Sequence, residues 1–285
     1  MKKIISIASM LFVCLLALSS APAIFGNYAS AQNSGTCAAN FLPNYYVPYA
    51  PGGVVLDTAN ETALSESTAN YIKSVLNSKY PIFDYRNSTC TDSNFRSIVN
   101  ALQNYEKAVI YSKGHRNAYS SGGYTHYGLI MNNGGTAWDY EIYPRTSSKN
   151  TNSFIWHCQT GIQPSSNYES GVGYCGLPIA FQHDALPKWG STSAGNQVYL
   201  GWTDQVPGSG YPLSAGSPQY EWKINSNYNY ANVAATYYYY VGQGYSTIYT
   251  MNELSSMIYG YSYSYGSSPL YYWLVYYGNG GVGLP

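Results

Sequence analysis

The sequence predicts an α/β domain built as a three-layer sandwich, with helices packed on both faces of a mostly parallel central sheet. Two observations support this. Helical patterns alternate with short apolar strands along most of the chain, and no internal repeat interrupts that order. Two of those strands end in a histidine and a cysteine. Parallel strands bring their carboxyl ends to one edge of a sheet, where ligands bind in open α/β folds.

The secondary-structure prediction depends on apolar periodicity and on capping residues. Strands are predicted at residues 53–57, 81–85, 107–112, 154–157, 197–203 and 270–277. Helices are predicted at residues 58–78, after the cap at Thr91, at 228–241 and at 250–259. Residues 127–131 and 138–143 are expected to form a hairpin around the Asn-Asn-Gly-Gly turn at 132–135. Residues 159–196 are expected to form a long polar loop.

The N-terminus predicts export. Lys2 and Lys3 precede an apolar stretch at 4–18, and small residues at 29–31 provide a cleavage site, so residues 1–31 are predicted to be a signal peptide. An irregular leader at 32–52 and an α/β domain at 53–285 would follow. No later stretch has the ~18 consecutive apolar residues of a membrane helix. We therefore expect a secreted, extracellular protein without a transmembrane anchor, with cell-surface association left open.

The composition excludes some partners and leaves others open. Charged residues make up 9% of the chain and the net charge is zero, so we expect no nucleic-acid partner, which would need a basic surface. The 35 tyrosines favour core positions that have a polar tip. A carbohydrate-binding or adhesive surface is the alternative. Asn60 and Asn87 begin glycosylation sequons, so the chain is a candidate glycoprotein.

Four cysteines remain after cleavage: Cys37, Cys90, Cys158 and Cys175. In an oxidising compartment an even number favours disulfides. One pairing joins Cys37 to Cys90 and Cys158 to Cys175. The other keeps Cys37–Cys90 and leaves Cys158 free. The spacing does not separate the two.

Two motifs contain the candidate catalytic residues. The apolar run at 109–113 leads into Gly114-His115, and the run at 154–157 leads into Cys158, with Gly161 three residues later. A thiol beside an imidazole is sufficient for covalent acyl transfer. The pattern resembles the caspase–legumain–gingipain clan of cysteine peptidases, in which a strand ending in Gly-His or Asp-His, a hairpin and a second strand ending in cysteine follow one another. The resemblance spans residues 54–259, and residues 198–203 are similar to the strand after the catalytic loop in gingipain-like enzymes.

The resemblance implies a role for each motif residue. Cys158 would attack the scissile carbonyl as a thiolate, and His115 would protonate the leaving amine. Backbone N–H groups of Cys158 and of the Gly114 region would stabilise the oxyanion, each contributing about 3 kcal/mol. Arg116 stands where many members have glycine, and it would either crowd this site or bind an acidic substrate group.

The remaining acidic residues and histidines are candidates for the cleft or for structural positions. Asp184 and Asp204, on predicted loops, are cleft candidates that would attract a basic side chain. Strand alternation places His157 on the face opposite Cys158, packed or hydrogen-bonded, and His126 is expected in a loop or at the surface. A zinc site made of His157, Cys158, Cys175 and His183 is disfavoured, because its ligand spacing is unusual. We therefore expect no metal and no cofactor.

The leading hypothesis is a secreted cysteine endopeptidase that cleaves polypeptide substrates through a His/Cys dyad and a thioester acyl-enzyme. The alternative is a non-catalytic secreted or surface-associated binding domain on the same fold, with Cys158 in a structural disulfide. A carbohydrate-binding or adhesive protein is the third hypothesis.

Overall fold

A computed structural model describes residues 34–40, 58–77, 82–162, 168–183, 188–203, 230–263 and 269–284. The chain divides into two compact units, Met1–Ala31 and Gln32–Pro285, and every described residue belongs to the second unit. The strand predicted at 53–57 lies outside the described residues. None of the helices in the described part of the chain is long and apolar enough to cross a membrane.

The described strands follow one another along the chain as β1 (Ser34–Asn40), β2 (Ile82–Arg86), β3 (Lys107–Lys113), β4 (His115–Ser121), β5 (Tyr124–Ile130), β6 (Thr136–Trp138), β7 (Asn150–Trp156), β8 (Tyr168–Glu169), β9 (Gly173–Tyr174), β10 (Val198–Trp202) and β11 (Leu274–Gly278). The helices are α1 (Thr58–Asn77), α2 (Asp92–Leu102), α3 (Asp139–Ile142), α4 (Leu177–Gln182), α5 (Tyr230–Gly242), α6 (Thr247–Tyr259) and α7 (Pro269–Trp273).

Six strands form the central sheet in the order β11–β10–β7–β3–β1–β2. Neighbours from β10 to β2 run parallel, and β11 runs antiparallel to β10. Every residue of β7 and β10 is buried, as is every residue of β3 after Lys107. Such continuous burial is typical of parallel strands covered on both faces. The predicted mixed α/β fold with a mostly parallel central sheet is confirmed.

Antiparallel pairing of β4–β5–β6 forms a second sheet, inserted between β3 and β7, and β8 pairs with β9. The predicted helices are present. Thr91 caps α2 by accepting a hydrogen bond from the Asn94 N–H at 3.1 Å. The buried face of α2 is the predicted one, Phe95, Ile98, Val99 and Leu102.

Several segments differ from the prediction. The expected irregular leader contains β1, which pairs with both β2 and β3. Residues 138–143 are mostly helix α3, because Asp139 and Glu141 occupy its first turn and the Glu141 carboxylate accepts from the Trp138 N–H at 3.0 Å. The run at 270–277 divides into α7 and β11, since periodicity alone does not separate short buried helices from strands. The expected loop at 159–196 includes β8, β9 and α4.

Tyrosine fills much of the core. Five tyrosines are almost completely inaccessible to solvent: Tyr111, Tyr199, Tyr237, Tyr238 and Tyr263. Tyr111 packs edge-to-face on Phe154 and Tyr238, with ring centroids 6.0 and 5.8 Å away. The Tyr263 hydroxyl donates to the Leu274 carbonyl at 2.7 Å. These side chains bury a large area, and the hydroxyls of Tyr199, Tyr237 and Tyr263 each have a hydrogen-bond partner, which is the core role that the composition favoured.

Candidate functional site

His115 and Cys158 follow neighbouring strands of the central sheet. In the parallel register of β3 and β7, Lys113 lies opposite Trp156. The Gly114 N–H donates to the Trp156 carbonyl at 3.2 Å, which extends the ladder by one residue. Each candidate residue lies two positions beyond the last registered pair, and both are half-buried. The structure therefore places His115 and Cys158 at the same carboxyl edge of the sheet.

His157 links the two strand ends. Its Nδ1 lies 2.7 Å from the His115 carbonyl oxygen and its Nε2 lies 3.0 Å from the Ser112 hydroxyl. Complete burial lowers the pKa of His157 to about 3, so the ring is neutral. A neutral ring must donate from Nδ1 to the carbonyl and accept at Nε2 from the hydroxyl. His157 is thus packed and hydrogen-bonded, as strand alternation indicated.

Arg116 holds Gln159, the residue that follows Cys158. The Arg116 Nη2 donates to the Gln159 side-chain oxygen. The Arg116 guanidinium also lies over the Tyr127 ring, 5.0 Å from its centroid. The Arg116 Nε is buried without a hydrogen-bond partner. Gln159 has a left-handed φ of 54°, which is uncommon for a residue other than glycine. Both neighbours of Cys158 are therefore tied to the His115-Arg116 pair.

The turn after Cys158 is fixed at its base. The Thr160 hydroxyl lies 2.9 Å from the carbonyl oxygens of both Ile155 and His157, so it closes the end of β7. The Gly161 N–H donates to the Trp202 carbonyl at 2.7 Å. This bond ties the turn to the carboxyl end of β10.

Close backbone approach explains the glycine at 161. A Cβ on Gly161 would lie 2.6 Å from the Gly201 carbonyl oxygen, and a Cβ on Gly201 would lie 2.7 Å from the Gly161 nitrogen. Two buried tyrosines complete the contact, because Tyr199 and Tyr277 donate to the Thr160 and Gly161 carbonyls at 2.9 and 2.8 Å. The segment that carries Cys158 is therefore supported by β10 and β11.

The oxyanion donors predicted at Cys158 and in the Gly114 region stay predictions. In the structure the Gly114 N–H itself donates to the Trp156 carbonyl. Asp184 and Asp204 lie outside the described residues, and the side chain of Arg116 is directed toward Gln159 and Tyr127.

The described part of the chain shows no disulfide at Cys90, Cys158 or Cys175, so neither Cys37–Cys90 nor Cys158–Cys175 is formed there. The Cys90 Sγ lies in the core, 3.8 Å from the Met131 sulfur, and burial raises its pKa to about 12. Burial also raises the pKa of Cys175 to about 11.

One buried cluster was missed by sequence reasoning. His126 is completely buried, whereas a loop or surface position was expected. Its Nδ1 lies 2.8 Å from the Asp139 carboxylate and its Nε2 lies 2.9 Å from the Glu169 carboxylate. We call His126, Asp139 and Glu169 the His126 cluster. Its members come from β5, α3 and β8, and no sequence spacing links them.

His183, one of the four residues of the disfavoured zinc site, contacts Tyr143 instead. His183 stacks on Tyr143 with ring centroids 4.1 Å apart, and its Nε2 lies 2.9 Å from the Tyr143 carbonyl oxygen. Within the described ranges, no group of three or more His, Cys, Asp or Glu residues is arranged to hold a metal ion.

Comparison with known proteins adds no family to these observations. No protein-family model matches the chain, and no curated protein matches it in sequence. The fold and the site together define a mixed α/β domain with a histidine and a cysteine at the carboxyl edge of its sheet.

Proposed function

We propose that this protein is an exported cysteine endopeptidase of the caspase–legumain–gingipain type, with Cys158 as nucleophile and His115 as acid–base group. One observation carries the proposal: the two residues follow the carboxyl ends of adjacent parallel strands, each two positions beyond the Lys113–Trp156 pair. The order along the chain also agrees with the clan pattern, since hairpin β4–β5 separates the two strands.

The proposed reaction has two steps. The Cys158 thiolate attacks the scissile carbonyl carbon, and as the C–N bond breaks the His115 imidazolium gives its proton to the leaving amine, which leaves a thioester. Water then attacks the thioester while His115 accepts its proton, and the C–S bond breaks to release a carboxylic acid and regenerate the thiolate and the imidazolium. The two side chains supply the nucleophile and the proton carrier, so a polypeptide and water are sufficient reactants.

The surrounding contacts favour a fixed geometry for the pair. His157 and Gln159, on either side of Cys158, are bonded to His115 and Arg116. Holding reacting groups in place lowers the entropic part of a barrier. Export is supported by the predicted signal peptide, and an extracellular location is part of the proposal.

Thiol reactivity tests the pair directly. The unreduced mature chain, residues 32–285, is alkylated with iodoacetamide near pH 6 and the labelled peptides are mapped. We expect Cys158 to react at least about a hundredfold faster than Cys90 and Cys175, whose buried thiols serve as internal references. His115→Ala should remove most of that difference, because an imidazolium promotes ionisation of the thiol.

Hydrolysis tests the function. Against a fluorogenic peptide library, Cys158→Ala and His115→Ala should each lower kcat/KM by at least about a thousandfold. Cys175→Ala is the matched control and should retain activity, since this thiol belongs to the His126 cluster region. In the alkylation experiment, labelling of Cys158 only after reduction would contradict the proposal. That result would support the non-catalytic binding domain with Cys158 in a disulfide.

A further inference from the structure

The His126 cluster is a buried group that the proposed reaction does not use. The imidazole and the Asp139 side chain are completely buried, and Glu169 is almost so. The carboxylates approach opposite ring nitrogens, at 2.8 and 2.9 Å. Asp139 belongs to α3, next to β6 in the β4–β5–β6 sheet, whereas Glu169 belongs to β8. The imidazole therefore joins two separate elements.

The geometry fixes the number of protons in the cluster. A ring nitrogen and a carboxylate oxygen attract each other only when a proton lies between them. Two such contacts need two protons, whereas a neutral imidazole and two carboxylates bring only one. The closed cluster therefore holds one proton more than its three groups carry in neutral water. That proton belongs to the cluster as a whole.

Among the described residues, no lysine or arginine forms an ion pair with the His126 cluster. The other titratable groups that face the imidazole are Tyr119 of β4, stacked at 5.2 Å, Tyr140 of α3, edge-on at 5.2 Å, and Cys175, whose Sγ lies 3.5 Å from Nε2. Burial raises the pKa of all three, so they are neutral near pH 7. Burial also raises the pKa of Asp139 above its usual value, although backbone N–H groups and His126 oppose that rise.

The cluster holds one segment in place. Glu169 is the side chain through which β8 reaches the imidazole. Further along, the Gly176 N–H donates to the second Asp139 oxygen at 2.6 Å, and Gly173 lies so close to Tyr140 that a Cβ there would be 2.6 Å from the tyrosine Cβ. The cluster thus attaches residues 168–176 to α3 and to the β4–β5–β6 sheet.

We propose that the His126 cluster is a pH-sensitive latch, which holds residues 168–176 closed with one bound proton and releases them as pH rises. When the proton leaves, one ring nitrogen presents a lone pair to a carboxylate, and the attraction becomes a repulsion. Opening then exposes Cys175 beside residues 168–174. Where opening releases one proton, the opening equilibrium constant increases about tenfold per pH unit.

Hydrogen exchange measured by mass spectrometry tests the latch on the mature chain. The exchange rates of peptides covering residues 168–176, divided by the intrinsic rates at each pH, give the opening constant. We expect it to increase with pH between about pH 7 and about pH 9 in the wild type, with a slope no steeper than about tenfold per pH unit. Glu169→Gln should abolish the increase, because its amide N–H donates to a neutral imidazole and no additional proton is needed.

Glu141→Gln is the matched control. Glu141 also lies on α3, but it contacts Arg96 and the Trp138 N–H rather than His126, so this variant should keep the wild-type slope. An opening constant independent of pH in the wild type would overturn the proposal, and so would a slope that persists in Glu169→Gln. The wild-type measurement decides the question alone if Glu169→Gln does not fold.

Discussion

His157→Gln tests the link between the two strand ends. In the native protein the buried imidazole donates to the His115 carbonyl and accepts from Ser112. A glutamine amide has one donor and one acceptor for the same partners, but it does not titrate. The substitution therefore keeps the hydrogen-bond pattern and removes the ionisable group.

The magnitude follows from the pKa of His157, which burial lowers from 6.5 to about 3. A lowered pKa means that the unfolded chain binds a proton that the folded chain excludes. The resulting stability is present above pH 6.5 and is lost as pH falls toward about 3, at about 1.4 kcal/mol per pH unit. Between pH 7 and pH 5 the loss from this one residue is about 2 kcal/mol.

Urea unfolding at pH 7 and pH 5 measures the effect in both proteins. We expect the wild type to lose about 2 kcal/mol more than His157→Gln between the two pH values. The contributions of Asp84, Asp92 and the His126 cluster are common to both proteins and cancel in the difference. Equal losses in the two proteins would refute the reasoning, because they would mean that His157 is not held neutral.

Two further predictions concern packing and capping. Gly161→Ala should lower the free energy of unfolding by about 1–3 kcal/mol and reduce the alkylation rate of Cys158. The reason is that the new Cβ would lie 2.6 Å from the Gly201 carbonyl oxygen. Wild-type stability and reactivity in this variant would contradict the close approach. Thr91→Ala should cost about 1 kcal/mol in urea unfolding by leaving the Asn94 N–H without its cap. Thr91→Ser, which retains the hydroxyl, should cost much less.

The predictable part of the fold has strong local signals. The apolar runs of β3, β7 and β10 are buried along almost their whole length, and α2 combines a capping threonine with a periodic apolar face. The proximity of the His115 and Cys158 segments followed from one rule, that parallel strands share a carboxyl edge. A local pattern plus a topological rule was enough for these features.

The remaining features depend on contacts between distant residues. The sequence of β1, Ser-Gly-Thr-Cys-Ala-Ala-Asn, has little strand propensity, and β1 is a strand because β2 and β3 pair with both of its sides. The His126 cluster depends on a histidine, an aspartate and a glutamate from three elements. The hydrogen bond from the Gly114 N–H likewise goes to a residue of another strand, Trp156.

The use of tyrosine in place of phenylalanine in the core gives the fold an upper pH limit. Burial raises the pKa of Tyr237 to about 12 and raises those of Tyr199 and Tyr263 well above 10. Each of these hydroxyls must stay protonated in the folded state, while the unfolded chain ionises near pH 10. The stability that they provide is therefore complete below pH 10 and declines in stronger alkali. The phenolate absorbance of these three core residues should therefore appear only as the domain unfolds.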